Sequence, residues 1–392
     1  MAGSYRKTTK NSAKKETARL MYASSEHSAD VLYFAKMFVP DPFICMQIGR
    51  KKIGVFNMLE YTRACKVSAL DEVLALEPLV QTAKATFQEE AVGMAEVIQV
   101  LARKYRISTF EVPHDFPAGL AFALQAARLR VVAVPGAFFP QRAVKSAEEA
   151  HYIKAGNAAS SAGFKAAEKV LKSTTIHHKR GNQLLYQGKV LTAERLRTII
   201  DTACLEVGAI ATHTICAGGD QACDPHCSGF GPLLAHELII IDIFPRMAAT
   251  GYHGDMTRTY LKGKANPEQK RLVAAVRRAQ KAALQQLRAN VDARKVHGAV
   301  LNVFSELGYA TEKVEGSWQG FFHGTGHGLG LEVHEAPRVS VASQKLRKGT
   351  VVTIEPGLYY PGVGGCRIED VAWVQQGGYE LLSKHAYRWI IP

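Results

Sequence analysis

The chain of 392 residues carries a formal net charge of +14, with 47% hydrophobic and 21% charged residues, the balance of an ordinary soluble globular protein. Its length exceeds one typical domain and suggests two, each able to bury its own core. No apolar run is long enough to span a bilayer, and no apolar stretch follows the charged N-terminus as a secretory signal requires. The seven cysteines are odd in number, so free thiols in a cytoplasmic protein are expected rather than a disulfide framework.

Residues 1–16 are polar and basic without periodicity and read as a flexible tail. From 17 to 145, short apolar runs alternate with helical patterns: strands are expected at 53–56 and 131–134, helices at 91–105 and 117–127. This alternation predicts an α/β domain. Ser146 with Glu149 forms a capping-box pattern, which places a boundary near 140–146 and starts a long small-residue helix over 147–171. A second helix is expected over 192–207, ended by Gly208. Strands follow at 211–216, 238–243 and 256–261. Asn266–Pro267–Glu268 then opens a helix running to about 289, and another spans 292–307. The last strands are expected at 350–354 and 367–374. Nearly all of the excess positive charge sits in residues 1–20 and 262–295. It reads as a tail and one solvated helix face, without a module that reads nucleic acid.

Unusual residues concentrate in four stretches. Leu-Ile-Ile-Ile-Asp ends at Asp242, a carboxylate that is costly to bury without a partner. Gly-Tyr-His-Gly-Asp-Met-Thr-Arg-Thr centres on Asp255, on a strand joined to the first by a hairpin-like excursion. Two carboxylates brought together this way repel unless a cation or a shared proton lies between them. His323 to Glu335 reads HGTGHGLGLEVHE, with three histidines and four glycines, a density that core packing does not explain. Glu355 and Glu369 fall in strand patterns of Val and Ile, with Arg367 on the Glu369 face by the period of two. Four carboxylates and one imidazole suit two divalent ions such as Mn²⁺, Co²⁺, Fe²⁺ or Zn²⁺. Such ions, roughly 3.5–4 Å apart, share carboxylates and acidify water for hydrolysis. No His-Glu-x-x-His helix, Gly-x-Ser-x-Gly elbow or phosphate-cradling Gly-Lys-Ser/Thr loop is present. Cys223 and Cys227 bracket His226, but no second pair at zinc-knuckle spacing follows.

On these motifs (the two Asp segments, HGTGHGLGLEVHE, TIEPGLYYPGVGG and RIED) the sequence over 145–392 resembles the pita-bread metallopeptidases: Xaa-Pro dipeptidases, Xaa-Pro aminopeptidases and methionine aminopeptidases. Residues 17–145 resemble, more weakly, the creatinase-type N-terminal domain of the proline-directed members. The resemblance implies an α/β N-terminal domain followed, over 146–392, by an α+β pita-bread catalytic domain. It implies two divalent ions, Mn²⁺ or Co²⁺ first and Zn²⁺ or Fe²⁺ next, held by Asp242, Asp255, His327, Glu355 and Glu369. Asp255 and Glu369 would bridge the ions, and Glu355 would also shuttle the proton of a bridging hydroxide. His226, His323 and His334 would bind substrate and take part in catalysis, with Arg367 beside the ligand carboxylates. A short peptide substrate, a homodimer, and neither membrane nor specific nucleic acid complete the expectation.

One departure stands out: the excursion between Asp242 and Asp255 is two residues longer than is usual in these families. Phe244 stands where a glycine is more common. Phe244, Pro245 and Arg246 are therefore expected to reshape the wall of the site and to decide the substrate. Two other functions stay open at this point: a retired peptidase fold that binds nucleic acid or protein, and a lyase or hydrolase acting on a small metabolite.

Overall fold

The computed structural model describes residues 16–392, so the expected tail lies outside the described residues except for Glu16, which opens the first strand. The chain divides into two compact units, Met1–Pro140 and Gln141–Pro392.

The first unit is built on a six-stranded mixed sheet. Its strands are β1 (Glu16–Ala23), β2 (Phe43–Ile48), β3 (Lys51–Phe56), β4 (Glu72–Ala75), β5 (Ile107–Val112) and β6 (Arg130–Ala133), in the order β4-β3-β2-β1-β5-β6. Alternate residues feed two cores, as the pleat requires. Leu20, Ile44, Met46 and Ile53 pack with Val97, Ile98 and Leu101 of helix α4, Met94–Tyr105. Met21, Phe43, Cys45 and Phe56 pack with Val31 and Phe34 of α1, Ala29–Ala35. The remaining helices are α2 (Met58–Val67), α3 (Leu76–Phe87) and α5 (Ala118–Ala126).

In the second unit, two sheets each carry a pair of helices. Strands Ile215–Gly218, Ile239–Ile243, Met256–Lys262 and Ile390–Ile391 form one sheet. It is backed by α6 (Ala147–Lys172) and α7 (Ala193–Glu206), whose Phe164, Leu196 and Ile200 pack on Ile239, Ile241 and Ile243. Strands Glu335–Val339, Gly326–Gly328, Val351–Ile354, Asp370–Val374 and Tyr379–Leu381 form the other. Helices α8 (Pro267–Gln286) and α9 (Ala293–Glu306) cover it through Val276, Ala279, Val296 and Val300. Ser146 caps α6 as its capping box predicts, and Asn266 caps α8 with Pro267 in its first turn.

Three sequence expectations differ from the structure. The strand expected over 211–216 begins only at Ile215, because His213 has φ +67°, which breaks extended backbone. Helix α8 stops at Gln286, where the buried Leu287 turns to extended geometry. The strand expected over 367–374 is interrupted at Ile368 and Glu369. There the Ile368 amide donates to Pro356 O and the Glu369 amide to Thr257 O, so the chain crosses from one sheet to the other.

Candidate metal centre

Strand register brings the acidic residues together. Asp242 lies opposite Ile215 on one neighbour and Thr257 on the other. Asp255 immediately precedes the strand Met256–Lys262, one alternation before Thr257. Its amide accepts support from α6: Asp255 N donates to Asn157 Oδ1 at 3.2 Å. The two backbones approach so closely that a Cβ on Gly254 would stand 2.2 Å from the Gly156 carbonyl carbon. Only glycine fits there.

His327 lies in the strand Gly326–Gly328, and a Cβ on Gly326 would lie 1.9 Å from Thr353 O. Part of the glycine density in this motif therefore serves close strand packing. Thr353 supports both neighbours, accepting from His327 N at 3.0 Å and donating to Glu355 at 3.1 Å. Glu355 sits just past its strand rather than within it, and Glu369 lies in the sheet crossing.

Oxygen or nitrogen atoms of Asp255, His327 and Glu369 all lie within 4.8 Å of one another. His327 Nε2 is 3.2 Å from Glu355 Oε1 and 3.7 Å from Asp255 Oδ2. Its Nδ1 faces Gly328 O at 3.1 Å; a carbonyl only accepts, so Nδ1 carries the proton and Nε2 points at the carboxylates. Asp242 turns one oxygen to Arg367, 2.8 Å away, and leaves its buried Oδ1 without a partner.

The charges do not balance among themselves. Burial, then the charges of Asp242 and Glu355, push the Asp255 pKa well up. Burial, then Asp255 and Glu355, do the same to Glu369. Burial opposes ionisation of Glu355, yet its hydrogen bond and charge pairing with His327, with His323 and Arg367, bring it down to about 2. Burial likewise opposes the charged form of His327, but Glu355 and Asp255 raise it to about 9. A buried set of mostly oxygen donors, strained by mutual repulsion and holding an unpartnered oxygen, has the chemistry of a divalent-cation site. The residues fit that group.

These five residues, with His226, His323, His334 and Arg367, line a single cleft of about 1270 Å³. His226 is exposed, its amide donating to Asp224 Oδ1 at 3.2 Å. His334 keeps part of its surface in solvent, stands edge-on to the His327 ring at 4.4 Å, and is lowered to about 4 by partial desolvation in the cleft and then by the charge of His327. It is neutral at pH 7. Burial lowers His323 as well. Both His323 nitrogens are engaged: Nδ1 donates to Gly324 O at 2.7 Å, and Nε2 accepts from the Tyr359 hydroxyl at 2.9 Å. Tyr359 in turn accepts from Arg367 Nη1 at 3.2 Å. Of the departing loop, Phe244 lines the cleft; Pro245 and Arg246 do not, Arg246 instead joining the short strand Arg246–Met247.

Several supporting residues escaped the sequence reading. Thr257 donates to Glu369 at 2.7 Å. His297 of α9 meets the Thr325 hydroxyl at 2.9 Å. Arg258 and Asp370 form a buried pair at 2.9 Å, and Asp370 also accepts from Gln280, Ser383 and Tyr387. Beside His334, Glu335 is buried and takes Lys145 Nζ at 2.7 Å on one oxygen and Arg142 on the other. Residues 257 and 259 at period two along a strand were the available signal for Thr257; for the long-range pairs a single sequence offers none.

Residues 151–376 match metallopeptidase family M24. The Xaa-Pro dipeptidase of Pyrococcus horikoshii is 36% identical over 176 residues, covering 44% of this chain and 47% of that protein. The chain spans about half the length of the curated relatives it matches first. The crystal structure of X-Pro aminopeptidase from Thermotoga maritima superimposes with a TM-score of 0.79 at 21% identity, over 96% of this chain and 98% of that one. Prolidase from Pyrococcus furiosus gives 0.74 at 22% identity, over 94% and 96%. The architecture is that of these proteins: an α/β N-terminal unit followed by a pita-bread unit. Among the described residues, no helix is long and apolar enough to cross a membrane.

Proposed function

We propose that this chain, which belongs to metallopeptidase family M24, is a metal-dependent exopeptidase that releases the first residue of short peptides with proline in second position. The observation that carries this reading is the buried acid cluster around His327 on the floor of a cleft large enough for a short peptide. The names of its relatives, Xaa-Pro dipeptidase among them, support the proline preference.

In this reading Asp242, Asp255, His327, Glu355 and Glu369 hold two divalent ions, Mn²⁺ or Co²⁺ by preference. When bound, such ions supply Lewis acidity, which acidifies water and polarises a carbonyl. The protein's own groups do the rest. Glu355, beside the proposed ions, would accept the proton of the attacking water and pass it toward the leaving nitrogen. Neutral His334 and exposed His226, which line the same cleft, offer ring N–H groups to substrate oxygen. His323 has a further part in this reading. With both nitrogens engaged inside the protein, it positions Tyr359, and through it Arg367 and Asp242. The protein works in the cytoplasm, as a homodimer.

Digestion of a peptide library by protein reconstituted with Mn²⁺, Co²⁺ or Zn²⁺, read by mass spectrometry, tests the proposal. Release of the first residue from Xaa-Pro peptides is expected. No cleavage of any peptide with any of the metals refutes it.

A further inference from the structure

Part of the cleft lining lies outside the acid cluster. Asp242 faces Ile215 across the strand pair, and His213 and Thr214 lead into that strand. Ile215, Phe244, His213, Thr214 and, from helix α7, Arg197 and Asp201 all line the cleft. This part of the lining combines apolar surface, Ile215 and the half-buried Phe244, with a carboxylate.

Asp201 is half-buried and incompletely satisfied. The Thr214 hydroxyl donates to its Oδ1 at 2.6 Å. Its other oxygen meets no hydrogen-bond donor or salt-bridge partner among the described residues. The nearest cation, Arg197, one helical turn earlier, directs Nη1 to the carbonyl oxygens of Ser228 and Gly229 and closes no ion pair with Asp201. Burial pushes the Asp201 pKa up, with Thr214 and Arg197 working against it; the group gains from an additional donor.

We propose that this part of the cleft is a subsite for the side chain of the substrate's first residue, and that Asp201 selects a long side chain ending in a cation, lysine or arginine. The aliphatic stem lies on Ile215 and Phe244 while the charged head reaches the free oxygen of Asp201, the arrangement by which such side chains cover apolar surface and keep their ends polar. A charge-assisted hydrogen bond then replaces water on a half-desolvated carboxylate. The inference rests on the exopeptidase reading and adds to it the class of first residue. It also gives the Phe244 departure a purpose: an aromatic wall in place of open space.

The test compares kcat/KM for lysyl-proline, norleucyl-proline and glutamyl-proline on the full chain reconstituted with Mn²⁺. Norleucine matches the lysine stem without its charge. A lysyl preference over norleucyl of about tenfold is expected, with glutamyl poorest. In Asp201→Asn, isosteric and able to keep the Thr214 contact, the lysyl-to-norleucyl ratio should fall to near one. Asp201→Ser should do the same if the first variant fails to fold, and thermal melts identify which variants are native. A ratio near one in the unaltered protein, or a tenfold ratio that survives in a folded Asp201 variant, overturns the subsite while leaving the peptidase intact. No hydrolysis of any of the three peptides overturns both.

Discussion

Lys145→Met separates structural from catalytic roles around His334. Lys145 and Glu335 are both almost fully buried, at 2% and 6% side-chain exposure, and 2.7 Å apart. The carboxylate also accepts Arg142 and the amides of Leu331 and Glu332, the latter two at 3.0 and 3.2 Å. The pair thus fastens the turn 330–335, which carries His334, to the segment that opens the second unit. Removing one partner of a buried pair costs about 3–5 kcal/mol, because the other charge is left uncompensated. Here Arg142 and two amides remain, which lowers the expected loss to roughly 2–3 kcal/mol. For a unit of this size that is a fall in Tm of roughly 5–10 °C at pH 7. The pH dependence has a defined sign. Burial opposes ionisation of Glu335, but Lys145 and Arg142 outweigh it and hold its folded pKa below the usual value. A depressed carboxylate pKa stabilises above the unfolded value, about 4.3, and this contribution fades as pH falls through the folded value. The gap between wild type and Lys145→Met should therefore be full at pH 7 and shrink below pH 4. Melts by circular dichroism across pH 3.5–8 measure it. A variant that melts within 1 °C of wild type at pH 7, or a gap that widens in acid, refutes the reasoning.

Other expectations concern the cluster itself. Asp255→Ala removes a carboxylate that lies within 4.8 Å of both His327 and Glu369, so metal content by mass spectrometry should drop along with turnover; binding of two ions at wild-type affinity contradicts the bridging role. Tyr359→Phe cuts the link between Arg367 and His323 while leaving every proposed ligand in place. Supporting hydrogen bonds of this kind are worth about 10–100-fold in activity or metal affinity. A kcat within twofold of wild type, with unchanged metal content, would show the link to be idle. Gly326→Ala drives a Cβ into the Thr353 carbonyl and should lower Tm and metal content together; tolerance in both would mean the strand can shift.

What could be read from the sequence, and what could not, follows from range. Helix caps at Ser146 and Asn266 and the apolar runs at 239–243 and 351–354 are local signals, and the structure forms those elements within a residue or two. The clustering of Asp242, Asp255, His327, Glu355 and Glu369 in one cleft was also legible, because each sits in a short stretch whose composition core packing does not explain. Residues whose function depends on a distant partner were not. Lys145 and Glu335 are 190 positions apart, and Arg258 and Asp370 are 112 apart. His297 looks like any helix residue until Thr325 is found against it. Sequence also overstated one strand, because nothing local marks the point where Ile368 and Glu369 change sheets.

The longer excursion between Asp242 and Asp255 is expected to bear on substrate, and the structure gives a physical reason why it need not bear on the cluster. Asp242 is fixed by its pairing with Ile215 and Thr257, and Asp255 by Asn157 and the close approach of Gly254 to Gly156. Both anchors lie outside the loop's variable part, so extra residues can bulge without moving either carboxylate. The loop is closed on itself by Met247 N to Tyr252 O and Gly254 N to Pro245 O, and tied across by His253 N to Gly330 O. Its exposed part is Ala248 and Ala249, and the loop residue that lines the cleft is Phe244. A change of specificity made by rebuilding residues 244–253 should therefore leave metal content untouched. Loss of metal in a folded loop variant would mean that the excursion supports the cluster as well as the wall.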